Sequence, residues 1–187
     1  MKLLIATDVH GSAYWAERIV EEFKRNYCDQ LILLGDVYYH GPRNPFPKDY
    51  APMKVAEIFN AIADKIVAIK GNCDSEVDEM ISDFPFVTKK IIPWCGHKLF
   101  LTHGHVYNKD NLPNLSKDDV LFYGHFHKNE LEFVNGVLCV NVSSASLPKD
   151  RPSFCIVDED GVALYALNEK DYDGEAKMLG FVTMTSW

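Results

Sequence analysis

The chain has 187 residues, 47% of them hydrophobic, which excludes a disordered chain and is enough to bury a sizeable core. Its formal net charge of −8 disfavours a long nucleic-acid backbone as partner but not a small phosphate ester, since bound cations supply positive charge locally. Five cysteines without a dense disulfide spacing, an N-terminal apolar run broken at Asp8, and no stretch of roughly 20 apolar residues point to the cytoplasm, with no membrane span.

Residues 2–7 read as a strand that runs directly into Asp8-Val9-His10. Ser12 is a plausible N-cap for a helix whose Trp15, Ile19 and Phe23 make one apolar stripe, and Asn26 ends it. Residues 31–34 form a second strand, apolar enough to be buried on both faces. Gly35 then turns the chain, and Asp36 emerges at the strand's carboxyl end, where open α/β sheets bind ligands. Strand, helix and strand imply a right-handed parallel crossover. Residues 38–47 are rich in proline and glycine, so they form a loop overhanging that end. Within it, Arg43 is either a planar clamp for phosphate or a solvated loop residue. A helix opens at Pro52 and buries Val55, Ile58, Phe59 and Ile62. Residues 65–70 make a third strand, which runs into Gly71-Asn72-Cys73-Asp74.

Residues 78–84 are expected to add a short helix, and residues 89–102 a hairpin turning near Cys95-Gly96-His97. His97 lies on the wrong side of its strand to join a site with the others. The hairpin's second strand leads into His103-Gly104-His105, and the apolar run 120–123 leads into Gly124-His125-Phe126-His127. Asn135-Gly136 marks a hairpin between residues 130–134 and 137–142. Residues 154–157 and 162–167 flank an acidic turn. The early half is therefore β-α-β and the late half mainly antiparallel β, giving two packed sheets with helices outside in one domain, 1–187. The tail is acidic from Asn168 and apolar from Met178, either a last strand or a contact surface in a homo-oligomer.

The same grammar recurs: an apolar strand, then at once a ligand-type residue. It collects Asp8, His10, Asp36, Asn72, His103, His125 and His127. Mixed imidazole and carboxylate donors suit Mn²⁺, Fe, Zn²⁺ or Ni²⁺ better than Ca²⁺ or Mg²⁺. Seven donors are too many for one four-coordinate ion and about right for two ions sharing a carboxylate, for which Asp36 is the candidate. Such a pair holds a bridging hydroxide for in-line attack on phosphorus.

In order, Asp8-Val9-His10, Gly35-Asp36, Gly71-Asn72-Cys73-Asp74, Thr102-His103-Gly104-His105 and Gly124-His125-Phe126-His127 resemble the motif set of the calcineurin-like metallophosphoesterases. The resemblance runs from residue 2 to about 157. Its nearest form is that of the small bacterial YfcE-type phosphodiesterases, through His40-Gly41-Pro42-Arg43-Asn44 and residues 71–78. It implies an α/β (α+β) fold, a four-layer αββα sandwich of two mixed sheets, and phosphodiesterase activity on small diesters with two divalent ions, often Mn²⁺. Carried over, one ion takes Asp8, His10, Asp36 and His127, and the other takes Asp36, Asn72, His103 and His125. Asn72 also touches a substrate oxygen, and His105 supports from behind. Three positions depart from the pattern. Cys73 replaces the histidine that usually protonates the leaving alkoxide, so aryl diesters should turn over better than alkyl ones. Phe126 replaces a threonine, and Asn141-Val142-Ser143-Ser144 replaces Asn-Pro-Gly-Ser. The alternatives are a phosphomonoesterase or nucleotide phosphatase, and a non-catalytic scaffold like the retromer subunit of this fold. The intact donor set speaks against the scaffold.

Overall fold

The computed structural model describes residues 1–168 and 175–183. β1 (Leu3–Ala6) is buried at every position, as an apolar run between two neighbouring strands must be. Ser12 Oγ accepts from the Trp15 amide at 3.3 Å and starts α1 (Ala13–Arg25), with Asn26 as C-cap. Trp15, Ile19 and Phe23 are buried along one side of α1. β2 (Gln30–Leu33) lies parallel to β1. Proline occupies the first turn of α2 (Pro52–Asn60), which buries Val55 and Phe59. Ile58 and Ile62 pack partly buried against the same core. β3 (Ile66–Ile69) follows a short 3₁₀ turn and lies parallel to β2.

The next helix, α3 (Glu76–Met80), begins earlier than the 78–84 read from the sequence. The reason is a reciprocal cap: Asp78 accepts from the Ser75 amide at 2.6 Å, which fixes Ser75 as the entry. Eight further strands follow along the chain: β4 (Phe86–Val87), β5 (Lys90–Trp94), β6 (His97–Leu101), β7 (Val120–Tyr123), β8 (Glu130–Val134), β9 (Val137–Asn141), β10 (Ser153–Asp158) and β11 (Gly161–Ala166). Part of the apolar tail forms a last strand, β12 (Met178–Thr183). Residues 169–174 and 184–187 of that tail lie outside the described residues.

Two mixed sheets result. The first runs β12-β11-β10-β1-β2-β3-β4, and the second runs β5-β6-β7-β9-β8. The late half is less antiparallel than its hairpin signals imply, because β6, β7 and β9 run parallel. The Asn135-Gly136 turn sends β8 outside β9, which leaves β9 to pair with β7. Alternate residues of the first sheet face two cores. Leu3, Ile5, Ile32 and Val67 meet Leu99, Val120, Phe122 and Leu138 of the second sheet. Leu4, Leu31, Leu33 and Ile66 meet Ile19, Phe23, Val55 and Phe59 of the helices. The outer face of the second sheet is covered by Tyr107, Leu112 and Leu115 from the segment between β6 and β7. His97 opens β6 opposite Trp94, at the far end of that strand from His103.

Candidate functional site

β1, β2 and β3 are parallel neighbours, so Asp8, Asp36 and Asn72 leave the first sheet side by side. β6 and β7 are parallel in the second sheet and deliver His103, then His125 and His127. Backbone bonds stitch the turns together: the Asp8 amide donates to Gly35 at 3.0 Å, His10 to Asp36 at 2.9 Å, and Gly124 to His103 at 2.7 Å.

The backbone at these turns is strained. Asp8, His10, Asp36, His125 and His127 all hold positive φ, at 53°, 49°, 54°, 66° and 59°. Each left-handed non-glycine residue costs on the order of 1 kcal/mol or more, and such strain persists where the surroundings over-determine it. Two glycines permit the close approach. A Cβ on Gly71 would collide with the Asp36 carboxylate, and one on Gly124 with the Thr7 hydroxyl and the Asp8 carboxylate.

Asp8 is buried, and its Oδ2 accepts from the Thr7 hydroxyl at 2.6 Å and the His125 amide at 3.0 Å. That leaves Oδ1 facing His127 Nε2 at 3.2 Å and His10 Nε2 at 3.5 Å. Asp36 is arranged the same way. Its Oδ1 accepts from the Cys73 amide at 2.8 Å, while Oδ2 faces His103 Nε2 at 3.4 Å and His10 Nε2 at 3.9 Å. Asn72 Oδ1 lies 3.0 Å from His103 Nε2. The His125 ring stands 5.1 Å from that of His103 between centroids.

Three histidines are aimed from behind. Nδ1 of His10 lies 2.7 Å from the Tyr39 carbonyl, that of His103 2.7 Å from Leu34, and that of His127 2.7 Å from Leu147. With Nδ1 donating to a carbonyl, Nε2 is the nitrogen each ring presents to the site, the usual second support of a metal-binding imidazole. Ser144 and Ser146 hydroxyls both donate to the Asp8 carbonyl, at 2.7 and 3.1 Å, so the departing Asn141–Ser144 segment still braces the site.

Asp74 is the residue that sequence reasoning missed. It is buried, and its carboxylate accepts from the amides of Asp36 at 2.8 Å, Val37 at 2.9 Å and Gly71 at 2.7 Å. It ties the turn after β2 to the turn after β3. Burial pushes its carboxyl up to about 6, against the lowering by those amides. The signal was its place in Gly71-Asn72-Cys73-Asp74, beside residues chosen for their chemistry.

The electrostatics are those of a compact charge cluster. Burial opposes ionisation of Asp8, yet the His10 imidazole facing it and the charge of His103 hold its carboxyl well below the usual carboxylate range. Burial disfavours a charged His103, yet Asp36 and Asp8 push it up to about 9. Burial and then the His103 charge lower both His125 and His105. Burial, with the Asp36 charge next, pushes the Cys73 thiol up to about 12, so it keeps its proton.

Donor atoms of Asp8, His10 and His127 converge within 4.8 Å of one another, as do those of Asp8, Asp36 and His103. Asp8 Oδ1 and His10 Nε2 are buried without a hydrogen-bond partner. A buried carboxylate oxygen and an imidazole nitrogen left facing each other in this way are costly unless a metal ion or a proton joins them, and accordingly, against burial, Asp8 raises the pKa of His10. The donor set therefore fits divalent metal. The site opens into a cleft of about 350 Å³, lined also by Arg43, Asn44, Phe126 and Lys149. His105 is exposed and lines a neighbouring cleft with Lys70 and Tyr107, but its ring stays beside the site, 5.4 Å from that of His103 and 6.2 Å from that of His125 between centroids.

A family model for the calcineurin-like phosphoesterase superfamily domain matches residues 1–161. The chain is 44% identical to phosphodiesterase YfcE of Escherichia coli K12 over 177 residues, 91% of this chain and 94% of that protein. The solved structure of the E. coli phosphoesterase YfcE gives a TM-score of 0.91 at 40% identity, over 98% of this chain and 100% of that one. A probable metallophosphoesterase of Bacillus subtilis, YsnB, is 27% identical over 158 residues, 81% of this chain and 79% of its own length. Zinc-bound Vps29 of Entamoeba histolytica shares the fold, with a TM-score of 0.62 at 19% identity over 98% of this chain and 99% of that one.

Proposed function

Because the chain belongs to the calcineurin-like phosphoesterase superfamily, we propose that it hydrolyses small phosphodiesters with a pair of divalent metal ions. Asp8, His10, Asp36 and His127 hold one ion, and Asp36, Asn72, His103 and His125 hold the other. The observation that carries this reading is the pair of buried, unpartnered atoms, Asp8 Oδ1 and His10 Nε2, beside carboxylate and imidazole groups aimed at the same point. When bound, two such ions neutralise the phosphoryl oxygens and lower the pKa of the attacking water. Imidazole and carboxylate donors suit Mn²⁺, Zn²⁺, Fe or Ni²⁺, and the family resemblance puts Mn²⁺ first among them.

The chain's own groups do the rest. Asp36 Oδ2 faces histidines from both sets and is the shared ligand. The Asn72 amide reaches a substrate oxygen, and Arg43 clamps phosphate from the overhanging loop. The Cys73 thiol lies at the cleft, 3.3 Å from Asn72 Nδ2, but holds its proton too firmly to be a good acid for an alkoxide. Diesters with stabilised aryl leaving groups are therefore the better substrates. Among the described residues no helix is long and apolar enough to cross a membrane, and all five cysteines are free, which suits a reducing cytoplasm.

The test is hydrolysis of bis-p-nitrophenyl phosphate against p-nitrophenyl phosphate, with and without added Mn²⁺. Faster turnover of the diester, dependent on metal, is the expected result. Preference for the monoester would make the chain a phosphomonoesterase, and no metal-stimulated turnover of either would leave a scaffold.

A further inference from the structure

Most residues lining the cleft carry polar or charged side chains. Phe126 is the carbocyclic aromatic ring among them, and it stands between His125 and His127 in the chain. Its ring is half-buried and lines both the metal cleft and a smaller cleft of about 250 Å³ behind it. One side of the ring packs against the small core of Phe100, Leu121 and Tyr123, and the rest forms a wall between the two open spaces.

The ring is also held still. It meets His125 edge-on at 5.2 Å and 80°, and Tyr123 edge-on at 6.1 Å and 90°. Tyr123 is fully buried and donates to Glu130 at 3.2 Å, so that support is fixed. The Phe126 amide donates to Gly124 at 2.7 Å within the same tight turn. A fixed, partly exposed aromatic surface beside a phosphate site offers a face on which a second ring stacks at low ordering cost.

We propose that Phe126 seats an aromatic ester arm of the substrate, so that the cleft selects diesters whose retained arm carries a ring, as an aryl or nucleoside ester does. This rests on the phosphodiesterase reading above. It is independent of Cys73, which bears on the departing arm and its proton, whereas Phe126 bears on the arm that stays on phosphorus.

The experiment keeps the leaving group constant. Bis-p-nitrophenyl phosphate and methyl p-nitrophenyl phosphate both release p-nitrophenolate but retain an aryl or a methyl arm. With the Mn²⁺-loaded enzyme, Phe126→Leu should raise the KM of the first relative to the second by about three- to tenfold. Phe126→Tyr, which keeps the ring, should hold the wild-type ratio. A second readout needs no turnover: saturation transfer from protein loaded with Zn²⁺, a diamagnetic ion, to the ring protons of phenylphosphonate should be strong in wild type and in Phe126→Tyr, and weak in Phe126→Leu. An unchanged KM ratio in Phe126→Leu, or undiminished transfer, overturns the assignment while leaving the phosphodiesterase reading intact. Failure of the wild type to cleave either diester overturns both.

Discussion

Asp36 has one carboxylate oxygen tied to the Cys73 amide and the other aimed between His103 and His10. Few substitutions remove so much from the site with so little change to the core. Removal of a supporting residue behind a metal typically costs about 10–100-fold, so loss of a shared ligand should cost more. Asp36→Ala is expected to lower turnover by more than ~100-fold at saturating Mn²⁺ with an unchanged circular dichroism spectrum; near-wild-type turnover would remove Asp36 from its shared role. Cys73 makes a second, separate case. Burial and the Asp36 charge keep its thiol protonated. Cys73→His supplies an acid titrating near neutrality and should raise the rate on alkyl leaving groups by ~10-fold or more, with little gain on p-nitrophenyl esters. An equal gain on both would sink the idea that the thiol is a deficient acid.

At the level of elements, the site is a set of turns held in register by groups that bind no metal themselves. Asp74 joins the turns after β2 and β3 through three buried amide bonds. Asp74→Ala strands those amides, at about 1–3 kcal/mol for each unsatisfied group, partly relieved by water. Calorimetry should show Tm lowered by roughly 6–12 °C, and assays should show activity lowered about 10–100-fold. An unaltered Tm would mean that the turns do not depend on this carboxylate. The strands that carry the site were legible in the sequence because each is a short apolar run ending in Asp, Asn or His. What was not legible came from outside those runs. β4 is only Phe86–Val87 and pairs with β3 by position, not by any pattern of its own. α3 is set by a Ser75–Asp78 cap that competes with the apolar residues further on. Asp74 stood in the Gly71–Asp74 motif with no role of its own, and only the folded turn shows what it accepts.

Across the whole molecule, two sheets present their strand ends to one place, so acidic and basic groups from distant positions titrate together. In the metal-free protein His103 carries a proton up to about pH 9, held by Asp36 and Asp8 against burial. Its folded pKa is raised from 6.5, so this proton's contribution to stability is complete below 6.5 and is lost as pH rises through about 9. Metal needs the neutral ring. Binding therefore expels a proton below that pH, and apparent Mn²⁺ affinity should climb by about tenfold per pH unit for each proton displaced, levelling near pH 9. Calorimetric titrations at several pH values measure this directly; affinity independent of pH would mean that His103 is not a ligand. The parallel order of β6, β7 and β9 was hidden from the sequence for a similar reason of scale. The Asn135-Gly136 hairpin is local and visible, but which side of β9 meets β7 is decided by packing between sheets.

The central claim is that seven side chains from both sheets surround two cations and share Asp36. Anomalous scattering at the manganese edge, from crystals grown with Mn²⁺, tests it most directly. Two peaks per chain are predicted, one beside Asp8, His10 and His127 and one beside Asn72, His103 and His125, with Asp36 between them. A single peak, or none in this pocket with the histidines turned elsewhere, would contradict it.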